Sequence, residues 1–383
     1  MYFVGIGGAG LSAYANISRA WGAEVRGWDA RETIFMETLD GIEVDVGGEP
    51  AAPEGFEVVV SAAHVGRAPG RSRAEFLAEL VALRRSIVVG GAHGKSTTAA
   101  MVAYVLRELG HDPAFVVGGV VPQLQGNAAA GGGWLVVEGD ESDRSIGLLR
   151  PEIAVVTNVE LDHHAAFASE AELETFFADW LAHVPKVVRG GELDPVAFEL
   201  SVAGEHNRRN AATAIATLEL AGVARDDAER AITGFAGVGR RFEFVGEKGG
   251  IQVYDDYGHN PTEIAATLKT ARERTERRLI AVYQPHVYER TRQLARELGT
   301  ALGLADAAIV TDVIGSRDEP RPGVTGKLVL ENVPADVRHG WAPTLDSAAM
   351  LALAWARRGD VVVTLGVGEP WKVARTVAAG LQE

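Results

Sequence analysis

Cysteine is absent from this chain of 383 residues, which excludes disulfide bonds, thiolate metal ligands and thiol nucleophiles. Basic residues are in the minority, 37 Lys and Arg against 52 Asp and Glu, giving a formal net charge of −15. Without a basic footprint, neither nucleic acid nor an anionic membrane is expected as a partner. No apolar run approaches the roughly 18 residues that a spanning helix needs. The chain opens Met1-Tyr-Phe-Val-Gly5, already inside a strand-like run, so no signal peptide is expected and the expected location is the cytoplasm. What remains is ordinary globular material: 47% hydrophobic residues and a length that suits two or three domains.

Strand, turn and helix patterns repeat along the chain, which predicts α/β domains with mostly parallel sheets. Strands are expected at Tyr2–Ile6, Glu24–Trp28, Val58–Ser61, Ser86–Val89, Phe115–Val117, Trp134–Val137 and Ile153–Val156. Further strands are expected at Ile251–Tyr254, Leu279–Tyr283, Ala307–Thr311 and Val361–Thr364. Helices are expected over Arg73–Leu83, from Lys95 to a stop at Gly110, over Ala211–Ala221, and from near Thr262, Arg290, Leu345 and Trp371. The helix from Lys95 places Met101, Val102, Val105, Leu106 and Leu109 on one face. Glycine-rich Gly234–Gly239 reads as a hinge. The expected domains are therefore 1–85, 86–237 and 238–383.

The run Ile87-Val-Val-Gly-Gly-Ala-His-Gly-Lys-Ser-Thr-Thr98 carries the clearest chemistry. A β-branched strand breaks at glycines, and Lys95, Ser96 and Thr97 open a helix. Backbone N–H groups of Gly91, Ala92, His93 and Gly94 can close around phosphate oxygens at a helix N-terminus. Lys95 can reach the β- and γ-phosphates and Ser96 can serve Mg²⁺. The pattern is one residue shorter than the standard phosphate loop, since Gly90 is the preceding glycine and position 89 is Val. A second glycine loop, Gly5-Ile-Gly-Gly-Ala-Gly10, follows the first strand, with Asp29 closing the next. That arrangement suits a dinucleotide, as in a dehydrogenase using NAD, or a nucleotide-linked substrate.

Glu138-Gly-Asp-Glu-Ser-Asp143 places carboxylates past a buried strand, where a phosphate-loop protein holds Mg²⁺. Glu138 lies nearest the strand end, whereas Glu141 and Asp143 also read as a solvated acidic loop. Thr157-Asn-Val-Glu-Leu-Asp-His-His164 offers His163 beside carboxylates, for a second metal or for structure. His206, Asn207 and Asn210 can meet a purine edge, although Asn207 also reads as a helix cap. Arg240 and Arg241 supply guanidinium forks for phosphate or carboxylate. Asp255-Asp-Tyr-Gly-His-Asn-Pro261 ends a strand, with Thr262 capping the next helix, and Tyr283-Gln-Pro-His286 ends another.

Taken together these residues resemble the Mur ligases, ATP-dependent amino-acid ligases of peptidoglycan synthesis. The likeness rests on Gly5–Gly10 with Leu11-Ser12, Gly90–Thr98, Glu138–Asp143, Asn158 with Asp162-His163 and His206-Asn207 with Asn210. It continues through Gly239-Arg-Arg-Phe242, Asp255–Glu263 and Gln284-Pro-His286, in order along the whole chain. It implies three domains: a Rossmann-like N-terminal domain for a UDP-linked substrate, a central phosphate-loop ATPase, and a Rossmann-like C-terminal domain. It also implies joining of L-alanine to the carboxylate of UDP-N-acetylmuramate through an acyl phosphate, by a monomer or weak homodimer using ATP and Mg²⁺.

Carried over by residue, Lys95, Arg241, His163 and His259 are implied as catalytic groups. Gly91, Ala92, His93, Gly94, Lys95, Ser96 and Thr97 are implied around the ATP phosphates. His206, Asn207 and Asn210 fall around adenine, and Arg241 and Asp255 near phosphate and ribose. Ser96, Glu138 and His163 are the implied metal ligands. Gly7, Gly8, Ala9, Gly10, Leu11, Ser12 and Asp29 are implied in binding the UDP substrate, with Tyr257 and His286 also on the substrate side. Asn260 and Val287 depart from the family pattern, Gly366-Val-Gly-Glu369 replaces its usual late turn, and Ser61–Arg73 and Lys186–Ala203 are shortened. A relative adding another amino acid or a recycled peptide, an NAD-dependent dehydrogenase and an inactive ATP-binding paralogue are the alternatives.

Overall fold

The computed structural model describes residues 1–39, 41–161, 166–315 and 319–380. Three sheets follow one another along the chain. The first contains β1 (Tyr2–Val4), β2 (Arg26–Asp29), β3 (Glu43–Val46), β4 (Val58–Val60) and β5 (Arg71–Ser72), in the order β3-β2-β1-β4-β5. All its pairings are parallel. Helix α1 (Ala9–Ala20) follows β1, and α2 (Arg73–Leu83) follows β5. Because β2 and β4 lie on opposite sides of β1, the loops after β1 and β4 diverge there, which opens a crevice at the strand ends. The Gly5–Gly10 loop leaves from that point.

The second sheet contains β6 (Ser86–Gly90), β7 (Ala114–Val121), β8 (Gly126–Ala129), β9 (Leu135–Glu138), β10 (Ile153–Val156) and β11 (Lys186–Arg189). Its order is β11-β10-β6-β9-β7-β8, parallel except for β8. The associated helices are α3 (Lys95–Glu108), α4 (Glu170–Leu181), α5 (Glu205–Ala221) and α6 (Arg225–Ile232). Ile87, Val88 and Val89 are fully buried, as a central parallel strand covered on both faces requires.

The third sheet contains β12 (Glu243–Lys248), β13 (Ile251–Asp256), β14 (Leu279–Tyr283), β15 (Ala307–Val310), β16 (Arg338–Trp341) and β17 (Val361–Leu365). Its order is β12-β13-β17-β14-β15-β16, with only β12 antiparallel. Helices α7 (Pro261–Arg272), α8 (Tyr288–Leu302), α9 (Lys327–Leu330), α10 (Leu345–Trp355) and α11 (Pro370–Gly380) complete it. Separate apolar clusters, one around Leu268, Leu298 and Val329 and one around Ala352, Val362 and Val377, cover the sheet.

The chain divides into two compact units, residues 1–202 with 207–236, and residues 203–206 with 237–383. In the first unit one apolar cluster runs from Phe3 of the first sheet and Ile6 of the loop after it to Val88, Leu135 and Val156 of the second sheet. The expected α/β class and mostly parallel sheets are present. Several local expectations are corrected. Helix α5 starts at Glu205 rather than Ala211, so His206 and Asn207 are helical and Asn207 is no cap. Helix α7 is capped by Asn260, whose side chain accepts from the Glu263 N–H, with Pro261 in the first turn; Thr262 is inside the helix. Helix α3 is buried on every side from Ser96 to Leu106, while Leu109 is exposed.

Candidate active site

Strand β6 delivers the chain into the loop before α3, and the loop glycines are obligatory. Gly91 and Gly94 have φ of +119° and +79°, conformations that other residues rarely adopt. A Cβ on Gly91 would lie 2.3 Å from Thr157 Oγ1, and one on Gly94 would lie 2.4 Å from Asn210 Oδ1. Asn158 and Thr157, after β10, brace the loop from behind. Asn158 Oδ1 accepts from the His93 N–H at 3.0 Å, its Nδ2 donates to His93 O at 2.9 Å, and Thr157 Oγ1 donates to the same oxygen at 2.6 Å. The Ala92 N–H goes to Asn158 O at 3.3 Å, and His93 Nε2 lies 2.9 Å from Glu160 Oε2. Ala92 and His93 thus shape the loop, and the first-turn N–H groups of Lys95, Ser96 and Thr97, which have no intrahelical acceptor, can receive an anion.

Ser96 Oγ donates to Glu138 Oε2 at 3.0 Å, and Glu138 also accepts from the Gly118 N–H on β7. A hydroxyl beside a carboxylate at the end of β9 is a hard oxygen donor set of the kind Mg²⁺ takes. The third implied ligand, His163, and its neighbour Asp162 lie outside the described residues. Glu141 corrects the solvated-loop expectation. It is 2% exposed and accepts from Lys95 Nζ through both oxygens, at 3.0 and 3.2 Å. Lys95 Nζ also donates to Gly91 O and to Ala92 O. The signal was a carboxylate at fixed distance from the strand end, but its inward turn is set by Asp140. The Asp140 Oδ1 accepts from Ser142 N–H and Oγ at 2.9 and 2.6 Å.

In the first sheet Asp29 Oδ2 accepts from the Gly7 N–H at 2.9 Å, and Thr33 Oγ1 donates to Gly7 O at 2.7 Å. Asp29 Oδ1 lies 4.0 Å from His64 Nε2, a residue the sequence reading did not select. Gly8 is the N-cap of α1, so Ala9, Gly10 and Leu11 carry its first-turn N–H groups. Leu11 and Ser12 are buried, and the Leu11 side chain belongs to the core, which leaves its backbone for a ligand. The Arg73 guanidinium, from the start of α2, comes within 3.3 Å of where a Gly10 Cβ would lie and within 4.0 Å of Asp140.

The second unit gathers polar groups at the C-terminal ends of β13, β14 and β17. Asp255, 1% exposed, accepts from Arg240 Nε at 2.9 Å and Thr364 Oγ1 at 2.5 Å. Both of its oxygens are thereby engaged inside the unit. Arg240 continues to the carbonyls of Gly366, Val367 and Gly368. Asp256 accepts from the N–H groups of Phe242 and Gly258, both at 2.7 Å; burial pushes its carboxyl up to about 6, against the opposing charge of Arg241. Arg240 and Arg241 each lie 5.1 Å from the Tyr257 ring centre. Glu263 accepts from the His259 N–H at 3.0 Å and lies 3.9 Å from Arg241. His206 is held at about 4, by burial first and then by Arg241. His286 pairs through its backbone with Ile314. Asn207 and Asn210 belong to the first unit, with Asn210 Nδ2 donating to Asn207 Oδ1 at 3.3 Å.

A phosphate loop on a parallel sheet, with Lys95 and Ser96 set against carboxylates, defines a nucleotide-using α/β enzyme. The family model described as "Mur ligase family, catalytic domain" matches residues 1–85, and "Mur ligase, glutamate ligase domain" matches residues 240–368. The chain is 38% identical to a UDP-N-acetylmuramate–L-alanine ligase of Clavibacter michiganensis, with 100% of this chain and 93% of that protein covered. It is 35% identical to the Rubrobacter xylanophilus protein of the same name, covering 100% of both. Among solved structures, the UDP-N-acetylmuramate-alanine ligase of Thermotoga maritima superposes with a TM-score of 0.78 at 25% identity, covering 99% of this chain and 98% of that one. The chain belongs to the Mur ligase family.

Proposed function

We propose that this protein joins L-alanine to UDP-N-acetylmuramate at the expense of ATP, through an acyl phosphate, in the synthesis of peptidoglycan precursors. The observation that supports this best is full-length likeness to ligases of that name, together with the Lys95 and Ser96 pairs at the end of β9. The substrate carboxylate attacks the γ-phosphorus, and the bond to the ADP oxygen breaks. The L-alanine amine then attacks the acyl carbon, phosphate leaves, and the amine surrenders its proton. Transfer of a phosphoryl group needs positioning and charge neutralisation rather than covalent help.

In this reading the first-turn N–H groups of α3 and the Lys95 ammonium hold the nucleotide phosphates. Ser96, Glu138 and His163 would hold Mg²⁺, which neutralises phosphate charge when bound. The Gly5–Gly10 loop, with Asp29 fixing Gly7, takes the UDP part of the substrate. Arg241 serves the phosphates, while His259, Tyr257 and His286 serve the acyl group and the amine. The boundaries near 85 and 237 are proposed as those of the three domains. A dehydrogenase would leave the Lys95 and Ser96 pairs without a role.

Phosphate release from ATP in the presence of UDP-N-acetylmuramate, measured across a panel of amino acids, tests this assignment. Release that depends on L-alanine is the expected result. Release with a different amino acid or only with a preformed peptide would move the protein to another member of the family, and Asn260 and Val287 would then be the first positions to examine.

A further inference from the structure

The Lys95 ammonium has three protons to donate, and in this structure it turns back onto its own loop. It donates to Gly91 O and Ala92 O and lies 3.0 and 3.2 Å from the two oxygens of Glu141. A triphosphate seated on the first-turn N–H groups of α3 attracts the same ammonium. Glu141 and the phosphates therefore compete for one cation.

The two partners differ in mobility. Glu141 is presented by a turn closed at several points: Asp140 takes both Ser142 donors, Asp143 Oδ1 accepts from the Ser145 N–H at 2.9 Å, and the Ile146 N–H reaches Asp140 O at 3.0 Å. The Arg144 N–H also bonds Glu141 O at 3.0 Å. Lys95, by contrast, is a point charge on a flexible four-carbon stem. Glu141 is almost wholly buried, so water does little to weaken its hold.

We propose that Glu141 is a positioning residue that latches Lys95 in the nucleotide-free protein, so that binding of ATP includes a handover of the ammonium from Glu141 to the phosphates. This rests on the reading of residues 90–97 as the ATP phosphate loop. The latch lowers apparent affinity for polyphosphates by the fraction of molecules in which Lys95 is released. It leaves a monophosphate unaffected, because that ligand does not reach for the lysine.

The test is titration calorimetry on the full chain and its Glu141→Gln and Glu141→Asp variants, with an ATP analogue bearing an uncleavable β–γ bridge, with ADP and with AMP. A released fraction of about one tenth predicts an about tenfold tighter analogue for Glu141→Gln. Glu141→Asp, whose carboxylate is withdrawn by one methylene, falls between it and the wild type. AMP affinity is the same in all three, and the KM for ATP falls with the dissociation constant of the analogue. A merely structural Glu141 would change AMP and analogue together. Equal or weaker analogue binding in Glu141→Gln, or equal tightening of AMP, overturns the latch; if that variant does not fold, the same outcomes in Glu141→Asp decide. Wild-type protein that binds no adenine nucleotide overturns the loop assignment as well. Binding without amino-acid-dependent phosphate release overturns the ligase assignment alone.

Discussion

Two ionisable side chains of the second unit, half-buried His206 and buried Asp256, pull its stability in opposite directions. The imidazole of His206 titrates near 4 in the folded protein against a reference value of 6.5. Its neutral form contributes fully above about pH 6.5, and that contribution is lost as pH falls toward 4. Asp256 titrates near 6 against 3.8, so its contribution is present below 3.8 and is lost as pH rises toward 6. Between about pH 4 and 6 the two slopes oppose. Asp256→Asn should therefore leave a chain whose denaturation midpoint climbs with pH across that window, while His206→Gln should leave one whose midpoint declines. Parallel profiles for both variants and the wild type would contradict these placements. Such environments were not legible in the sequence. The motif Asp255-Asp256 shows two carboxylates, but only the fold shows Arg240 and Thr364 closing on the first and two backbone N–H groups on the second. The burial of Glu141 is hidden for the same reason, since an acidic run does not reveal which carboxylate turns inward.

Elements at the centre of the second and third sheets were legible, and the edges were not. Expected strands coincide with β6, β10, β14 and β17 within a residue, because each is a continuous apolar run buried on both faces. Strands β3, β5, β8, β11, β12 and β16 are the six sheet edges. Their residues are largely exposed or half-buried, and backbone pairing rather than apolar pattern places them. Helix α7 shows how a single residue serves a local need. Asn260 supplies the cap, with its side chain on the Glu263 N–H, and Glu263 in turn holds the His259 N–H. Asn260→Ala removes an interaction of about 1 kcal/mol, so amide exchange in the first turn of α7 should accelerate about fivefold in the full chain. Unchanged protection at Glu263 would show that the cap adds nothing.

At the scale of the molecule, the three sheets and two glycine loops belong to a Mur ligase, and no helix among the described residues is long and apolar enough to cross a membrane. Residues Ser61–Arg73 hold a short 3₁₀ turn, Ala62–His64, and the two-residue strand β5. The proposed chemistry, activation of a carboxylate by phosphoryl transfer, leaves an isotopic record. UDP-N-acetylmuramate labelled with ¹⁸O in its carboxylate, incubated with ATP, L-alanine and the enzyme, should yield inorganic phosphate carrying one ¹⁸O atom for each product formed. Phosphate free of label, or release of AMP and pyrophosphate, would contradict the acyl-phosphate route.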